Sequence, residues 1–161
     1  NEDISARRVE PLALKEFQSR WYLLAKDHKD HSLKTFALDR ITSLEISKQK
    51  YKADKGFNVN DYFRHCFGII RPSAPESKPQ TIMLQFAAGK GKYIKSLPLH
   101  ESQRIIKDDE HELQIELELY ITHDLIMELL SHGDDVTVLQ PASLRKTLND
   151  IYNRAEKIYQ H

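Results

Sequence analysis

Between Leu113 and Ile121, five apolar residues at positions 113, 115, 117, 119 and 121 alternate with Gln114, Glu116, Glu118 and Tyr120. A period of two belongs to a β-strand with one face in a core and the other in water. The surrounding residues extend the pattern. Thr81 to Phe86 reads as a strand, Lys90 to Leu97 as a helix, and Gln103 to Lys107 as a strand that turns at Asp108-Asp109-Glu110. After Ile121, a helix is expected from His123 to Ser131, capped by Thr122 and closed by Gly133, and then a strand from Val136 to Leu139.

The order β-α-β-β-α-β is that of a ferredoxin-like α+β domain. One more helix is expected from Ser143, where Leu144, Leu148, Ile151, Ala155 and Ile158 form a narrow apolar stripe at spacings of four and three. Such a stripe serves core packing more often than a coiled-coil seam.

Upstream the grammar differs. Arg71-Pro72-Ser73-Ala74-Pro75-Glu76-Ser77-Lys78-Pro79 holds three of the six prolines and can continue neither a helix nor a central strand. It is read as a linker, with one domain over residues 1–70 and another over 80–161. In the first domain, short strands are expected near Arg8 to Leu14, Arg20 to Lys26, Leu33 to Leu38 and Ile41 to Ser47. A short helix near Val59 to His65 follows, with Asn58 or Asn60 as its cap. Four short strands of this kind suit a small β-barrel that is incomplete by itself.

Within that barrel, Trp21-Tyr22-Leu23 lies between Arg8-Val9-Glu10-Pro11-Leu12 and, after the polar turn Asp27 to Ser32, Thr35-Phe36-Ala37-Leu38-Asp39-Arg40-Ile41. In order and spacing these three pieces resemble the WYL domain, which is named for that tripeptide. The resemblance implies an Sm-like or SH3-like small barrel of the kind found mostly in bacterial transcription regulators. There it usually sits between an N-terminal helix-turn-helix domain and a C-terminal extension called WCX, the place the βαββαβ half would fill. It also implies a sensor whose ligand is single-stranded nucleic acid or a nucleotide-like anion. WYL domains usually carry another strand ahead of the Arg-x-Val-x-Pro region. An unpaired sheet edge is therefore expected, and a start at Asn1 without methionine is expected of a piece of a longer protein.

Charge distribution fits an anionic ligand. From Arg7 to Lys52, 11 Lys and Arg stand against 6 Asp and Glu, a balance of +5, whereas Glu101 to His161 has 6 against 13, a balance of −7. A basic first half attracts phosphate and the acidic second half repels it. No run of about 18 apolar residues could span a bilayer, and the first residues have neither segment of a signal peptide. The single cysteine, Cys66, excludes an internal disulfide and fits a cytoplasmic protein.

The adjacent rings of Trp21 and Tyr22 must point to opposite faces of a strand, so only one can be central to a core. The other is free to stack on a base beside a cation. On this reading Trp21 and Leu23 are mainly architectural, and Tyr22 and Arg40 are the foremost ligand contacts, with Asp39 placed to orient the Arg40 guanidinium. Lys34, Arg8, Arg20 and Trp21 stand behind them. The family's binding face is usually basic at the positions matching Lys34, Ala37 and Arg40. Here Lys replaces the more usual Arg at 34, and Ala37 carries no charge.

Other motifs read as structural. His28 and His31 lie in a turn, where no helical face fixes them as metal ligands. Gly89-Lys90-Gly91-Lys92 lacks the spacing of a phosphate loop and is read as the start of a helix. His123-Asp124 is accounted for by the cap at Thr122, and Cys66 reads as a buried inert thiol. No catalytic residue, cofactor or metal is assigned. The chain is expected to be a non-enzymatic ligand-sensing region that controls an N-terminal DNA-binding domain and forms a homodimer. The alternative is a dimerisation or scaffolding module without a small ligand, joined through the last helix or an open strand edge.

Overall fold

The computed structural model describes residues 5–52, 56–74 and 76–160. The chain divides into two compact units, residues 1–64 and 65–161.

In the first unit, β1 (Val9–Phe17), β2 (Arg20–Asp27) and β3 (Leu33–Ala37) form an antiparallel sheet in the order β1-β2-β3. β1 and β2 are joined by the two-residue turn Gln18-Ser19, with φ of 49° and 62°. A tight hairpin of this hand demands positive φ at both positions and usually recruits Asn-Gly. β2 and β3 pair from Tyr22↔Ala37 to Lys26↔Leu33. The chain then enters a 3-10 turn at Leu38–Arg40 and leaves the sheet.

That exit corrects two expectations. Residues 41–47 form no strand, because the turn carries them off the edge of β3 and leaves them no neighbour to bond. Leu44 and Ile46 are consequently 79% and 96% exposed. With three strands rather than four, the described residues make an open sheet and no closed barrel. A short helix, α1 (Val59–Phe63), completes the unit, and its cap is Asn58, whose Oδ1 accepts from the amides of Asn60 and Asp61.

In the second unit, β4 (Gln80–Ala87), α2 (Ala88–Ser96), β5 (Arg104–Asp108), β6 (Glu112–Leu119), α3 (His123–Ser131), β7 (Val136–Gln140) and α4 (Ala142–Tyr159) follow in sequence. The four strands lie in the order β5-β6-β4-β7, every pair antiparallel. Ile82, Leu84 and Phe86 of β4 and Leu113, Ile115, Leu117 and Leu119 of β6 supply one face of the core, closed by Leu125 and Leu129 of α3 and Leu144 and Leu148 of α4. The α4 stripe is core for its first turns only, since Ile158 is 73% exposed.

Residues 65–70, assigned by sequence to the first domain, pack instead with the second unit. The Tyr120 amide donates to the His65 carbonyl, and the amides of Ile69 and Ile70 both donate to Asp124 Oδ2. Asp124 is therefore engaged in holding this segment. Cys66 is buried as expected. Residues 71–74 and 76–79 contain no helix or strand, and Pro75 of the proline-rich stretch lies outside the described residues. Thr122 stands at the start of α3, but its Oγ1 is buried without a hydrogen bond, so the expected side-chain cap does not form.

The two glycines of the Gly89-Lys90-Gly91-Lys92 motif lie within α2 and differ in role. A Cβ on Gly91 would sit 2.9 Å from Leu113 Cβ, whereas one on Gly89 would meet nothing within 4 Å. Gly91 lets α2 approach β6 closely. Gly91→Ala is expected to cost about 1–3 kcal/mol through overpacking. Gly89→Ala should gain up to about 1 kcal/mol from helix propensity. Urea denaturation of the two variants should therefore shift the midpoint in opposite directions.

His132, which follows α3, packs edge-on against Phe86 with ring centroids 5.5 Å apart. Its Nε2 is buried and lies 3.4 Å from Glu128 Oε1 without hydrogen-bond geometry. Burial lowers its pKa below the ordinary histidine value, a shift opposed by Glu128 and Asp135 and reinforced by Lys90. Below about pH 6.5 the unfolded chain takes up a proton that the folded ring refuses, so folding stability is full above that pH and falls as the pH drops through the window beneath it. Thermal melts between pH 8 and pH 5 should show a steeper acid-side loss for the native chain than for His132→Gln. Parallel curves would refute the assignment.

Candidate functional site

The antiparallel register sorts the sequence-derived candidates onto two ends of the first sheet. Val9↔Asp27 marks one end of the β1–β2 pair and Phe17↔Arg20 the other. Arg20, Trp21, Tyr22 and the turn holding Asp39 and Arg40 gather at the second end, where that turn packs against β2. Arg8 and Lys34 belong to the first. Seven residue rises separate Arg20 from Asp27, about 23 Å, so the six candidates do not share one binding face.

Lys34 is committed locally. Its Nζ lies 2.7 Å from Asp27 Oδ2 and 2.5 Å from Asp30 Oδ2, and Arg7 Nη1 reaches the same Asp27 oxygen at 2.9 Å. Asp27 is a β2 residue only 1% exposed. The bond from Lys34, and next the Lys29 amide, holds its carboxyl below the usual range. Lys34 in turn is raised by its bonds to Asp27 and then Asp30. With two carboxylates in contact, Lys34 offers little charge to a ligand.

At the opposite end the ion pairing is looser and more exposed. Arg40 makes no hydrogen bond or ion pair among the described residues. Asp39, expected to orient it, instead lies 3.8 Å from Arg20. Residues directly opposite in an antiparallel pair share a face. Tyr22 therefore shares its face with Lys15, whose Nζ lies 4.7 Å from the ring centre of Phe63 on α1. That face carries a helix, and Tyr22 is half-buried. Trp21 faces the other way with Leu14, Leu23 and Phe36, and is 53% exposed. The sequence reading places Tyr22 foremost and Trp21 as mainly architectural, whereas in the structure Trp21 is the more exposed of the two rings.

His28 Nε2 pairs with Glu10 Oε1 at 3.1 Å, away from any arrangement with His31. Among the described residues no group of three or more His, Cys, Asp or Glu is placed to hold a metal. No helix of the described residues is long and apolar enough to cross a membrane.

A sheet bearing Trp-Tyr-Leu on its central strand, followed by a four-stranded α+β unit, defines the class. Residues 1–46 match the WYL domain and residues 78–155 the WCX domain. The chain therefore belongs to the proteins that join a WYL domain to a WCX domain. Among solved structures, it is similar to proteasome accessory factor B/C (PafBC) of Arthrobacter aurescens, at 22% identity and a TM-score of 0.33, over 88% of this chain and 21% of that one. It thus spans about a fifth of the length of the PafBC chain. No curated protein matches it significantly.

Proposed function

We propose that this chain is the ligand-sensing region of a cytoplasmic transcription regulator. In this reading the Trp21–Arg40 end of the WYL sheet binds single-stranded nucleic acid or a nucleotide-like anion. The observation that carries it is the exposed Trp21 ring at the same sheet end as Arg20 and Arg40, the latter unpaired among the described residues. An aromatic face accepts a base and a guanidinium accepts its phosphate. The WCX half, ferredoxin-like in its βαββαβ order, supplies the second body. Ligand binding favours one arrangement of domains or subunits, and an N-terminal DNA-binding domain of the full-length protein reads that preference.

Single-stranded oligonucleotide binding measured against salt tests the reading. Two phosphates met by Arg20 and Arg40 should give a slope of log affinity against log salt of about −1.4. Binding that is unmeasurable at low salt would sink it.

A second reading, a homodimerisation module, draws on the exposed Ile105 and Ile106 of edge strand β5 and the exposed Ile158 and Tyr159 of α4. Sedimentation separates the two. A dimer indifferent to oligonucleotide favours this reading, and a monomer at every concentration refutes it.

A further inference from the structure

The positive charge of the first unit is densest at the end of the sheet that the proposed ligand contacts leave unused. There residues 49–52, Gln-Lys-Tyr-Lys, belong to no strand but are tied to β1 and its approach at two points. Arg8 Nη1 donates to Gln49 Oε1 at 3.2 Å, and Tyr51 Oη donates to the Pro11 carbonyl at 2.6 Å. With the segment held, Lys50 and Lys52 line a concavity of about 190 Å³ together with Arg8, His28 and Ser47. A wider depression of about 480 Å³ adjoins it, sharing Arg8 and His28 and adding Arg7 and Lys29.

The local charges do not cancel. Two carboxylates line these concavities, Asp27 and Glu10. The first is bonded by Arg7 and Lys34, and the second pairs with His28. Lys29, Lys50 and Lys52 make no ion pair among the described residues, and Arg8 uses its one side-chain bond on a neutral amide. Among the described residues, four cations without an ion pair thus line the two concavities, against one lining carboxylate, Glu10, that is partnered by a histidine rather than a permanent cation. Mutual repulsion disfavours such a cluster unless an anion offsets it.

We propose that this hollow is a phosphate-binding site. Arg8 supplies a planar fork to the phosphate oxygens, Lys50 and Lys52 add point charges from the tied segment, and Lys29 stands at the adjoining mouth. Its ligand is a phosphate group, borne either as a monoester or within a phosphodiester backbone. Because the hollow lies about 23 Å along β2 from Arg20, the inference stands apart from the reading of the Trp21–Arg40 end.

The test uses the whole chain. Nitrogen-15 NMR titration with inorganic phosphate is compared with chloride at equal ionic strength and pH. Saturable shifts at Arg8 Nε and at the amides of Gln49, Lys50 and Tyr51 are expected with phosphate alone. The double variant Lys50→Gln/Lys52→Gln should weaken phosphate binding roughly fivefold or more. Both lysines are exposed, so its thermal midpoint should stay close to the native value. Arg40→Gln should leave the phosphate-induced shifts at Arg8, Gln49, Lys50 and Tyr51 unchanged even if it abolishes oligonucleotide binding. A dinucleotide with and without a terminal phosphate distinguishes the two sources: preference for the first assigns a monoester, and equal affinity at the same amides assigns the backbone. Identical shifts with chloride, a double variant that binds phosphate like the native chain, or failure of both dinucleotides to move these amides would overturn the proposal.

Discussion

Phe86→Ala is expected to remove about 3–5 kcal/mol from the stability of the second unit, the range for deleting a fully buried aromatic side chain. Phe86 has no exposed surface and lies on β4, the strand bonded on both sides by β6 and β7. Its edge-on contact with His132 joins the sheet to the end of α3. Truncation would open a cavity where sheet and helix meet, and the interlocked neighbours leave little room for collapse. Domains of this size are stable by only about 5–15 kcal/mol, so the loss is a large share of the total. Met83→Ala, on the opposite and half-buried face of the same strand, should cost clearly less. Urea titration monitored by far-ultraviolet circular dichroism compares them, and equal losses would show that the core does not lie where the burial places it.

Trp21→Ala should weaken single-stranded oligonucleotide binding about tenfold or more, the usual scale for removing a stacking ring. Arg40→Ala should weaken it and also flatten the salt dependence, by about 0.7 in slope for one lost phosphate contact. Tyr22→Phe should bind as the native chain does, because its ring lies on the face that carries α1. Fluorescence anisotropy with a labelled oligonucleotide reads all three. Trp21 is more than half exposed, so its replacement should leave the thermal midpoint nearly unchanged and separate loss of binding from loss of fold. If Tyr22→Phe destroys binding and Trp21→Ala does not, the ligand uses the opposite face.

Much of the second unit was legible in the sequence because its signal is local. The alternation from Leu113 onward specifies a strand and its buried face together, and the observed β6 buries Leu113, Ile115, Leu117 and Leu119. The first unit was less legible where the outcome depended on neighbours. Residues 41–47 contain enough β-branched and apolar side chains for a strand, but a strand also needs a free edge, and the turn at Leu38–Arg40 removes it. The Gln18-Ser19 turn went unread because it achieves two positive φ values without glycine or asparagine. For the candidate site, residue types identified the cations without showing which already had partners. Lys34 and Arg40 look alike in sequence, yet one is held by two aspartates and the other has no partner among the described residues.

The strand order β5-β6-β4-β7 has a consequence for how the second unit comes into being. Its central strand is synthesised first, while the strands that flank it arrive after α2 and after α3. β4 therefore leaves the ribosome with both hydrogen-bonding edges bare and three apolar side chains in search of cover. Most of its pairings are long-range in sequence, an arrangement that slows folding. The unit's early hazard is thus the exposed strand 80–87, and the acidic β6 that later closes on it also retires an aggregation-prone edge.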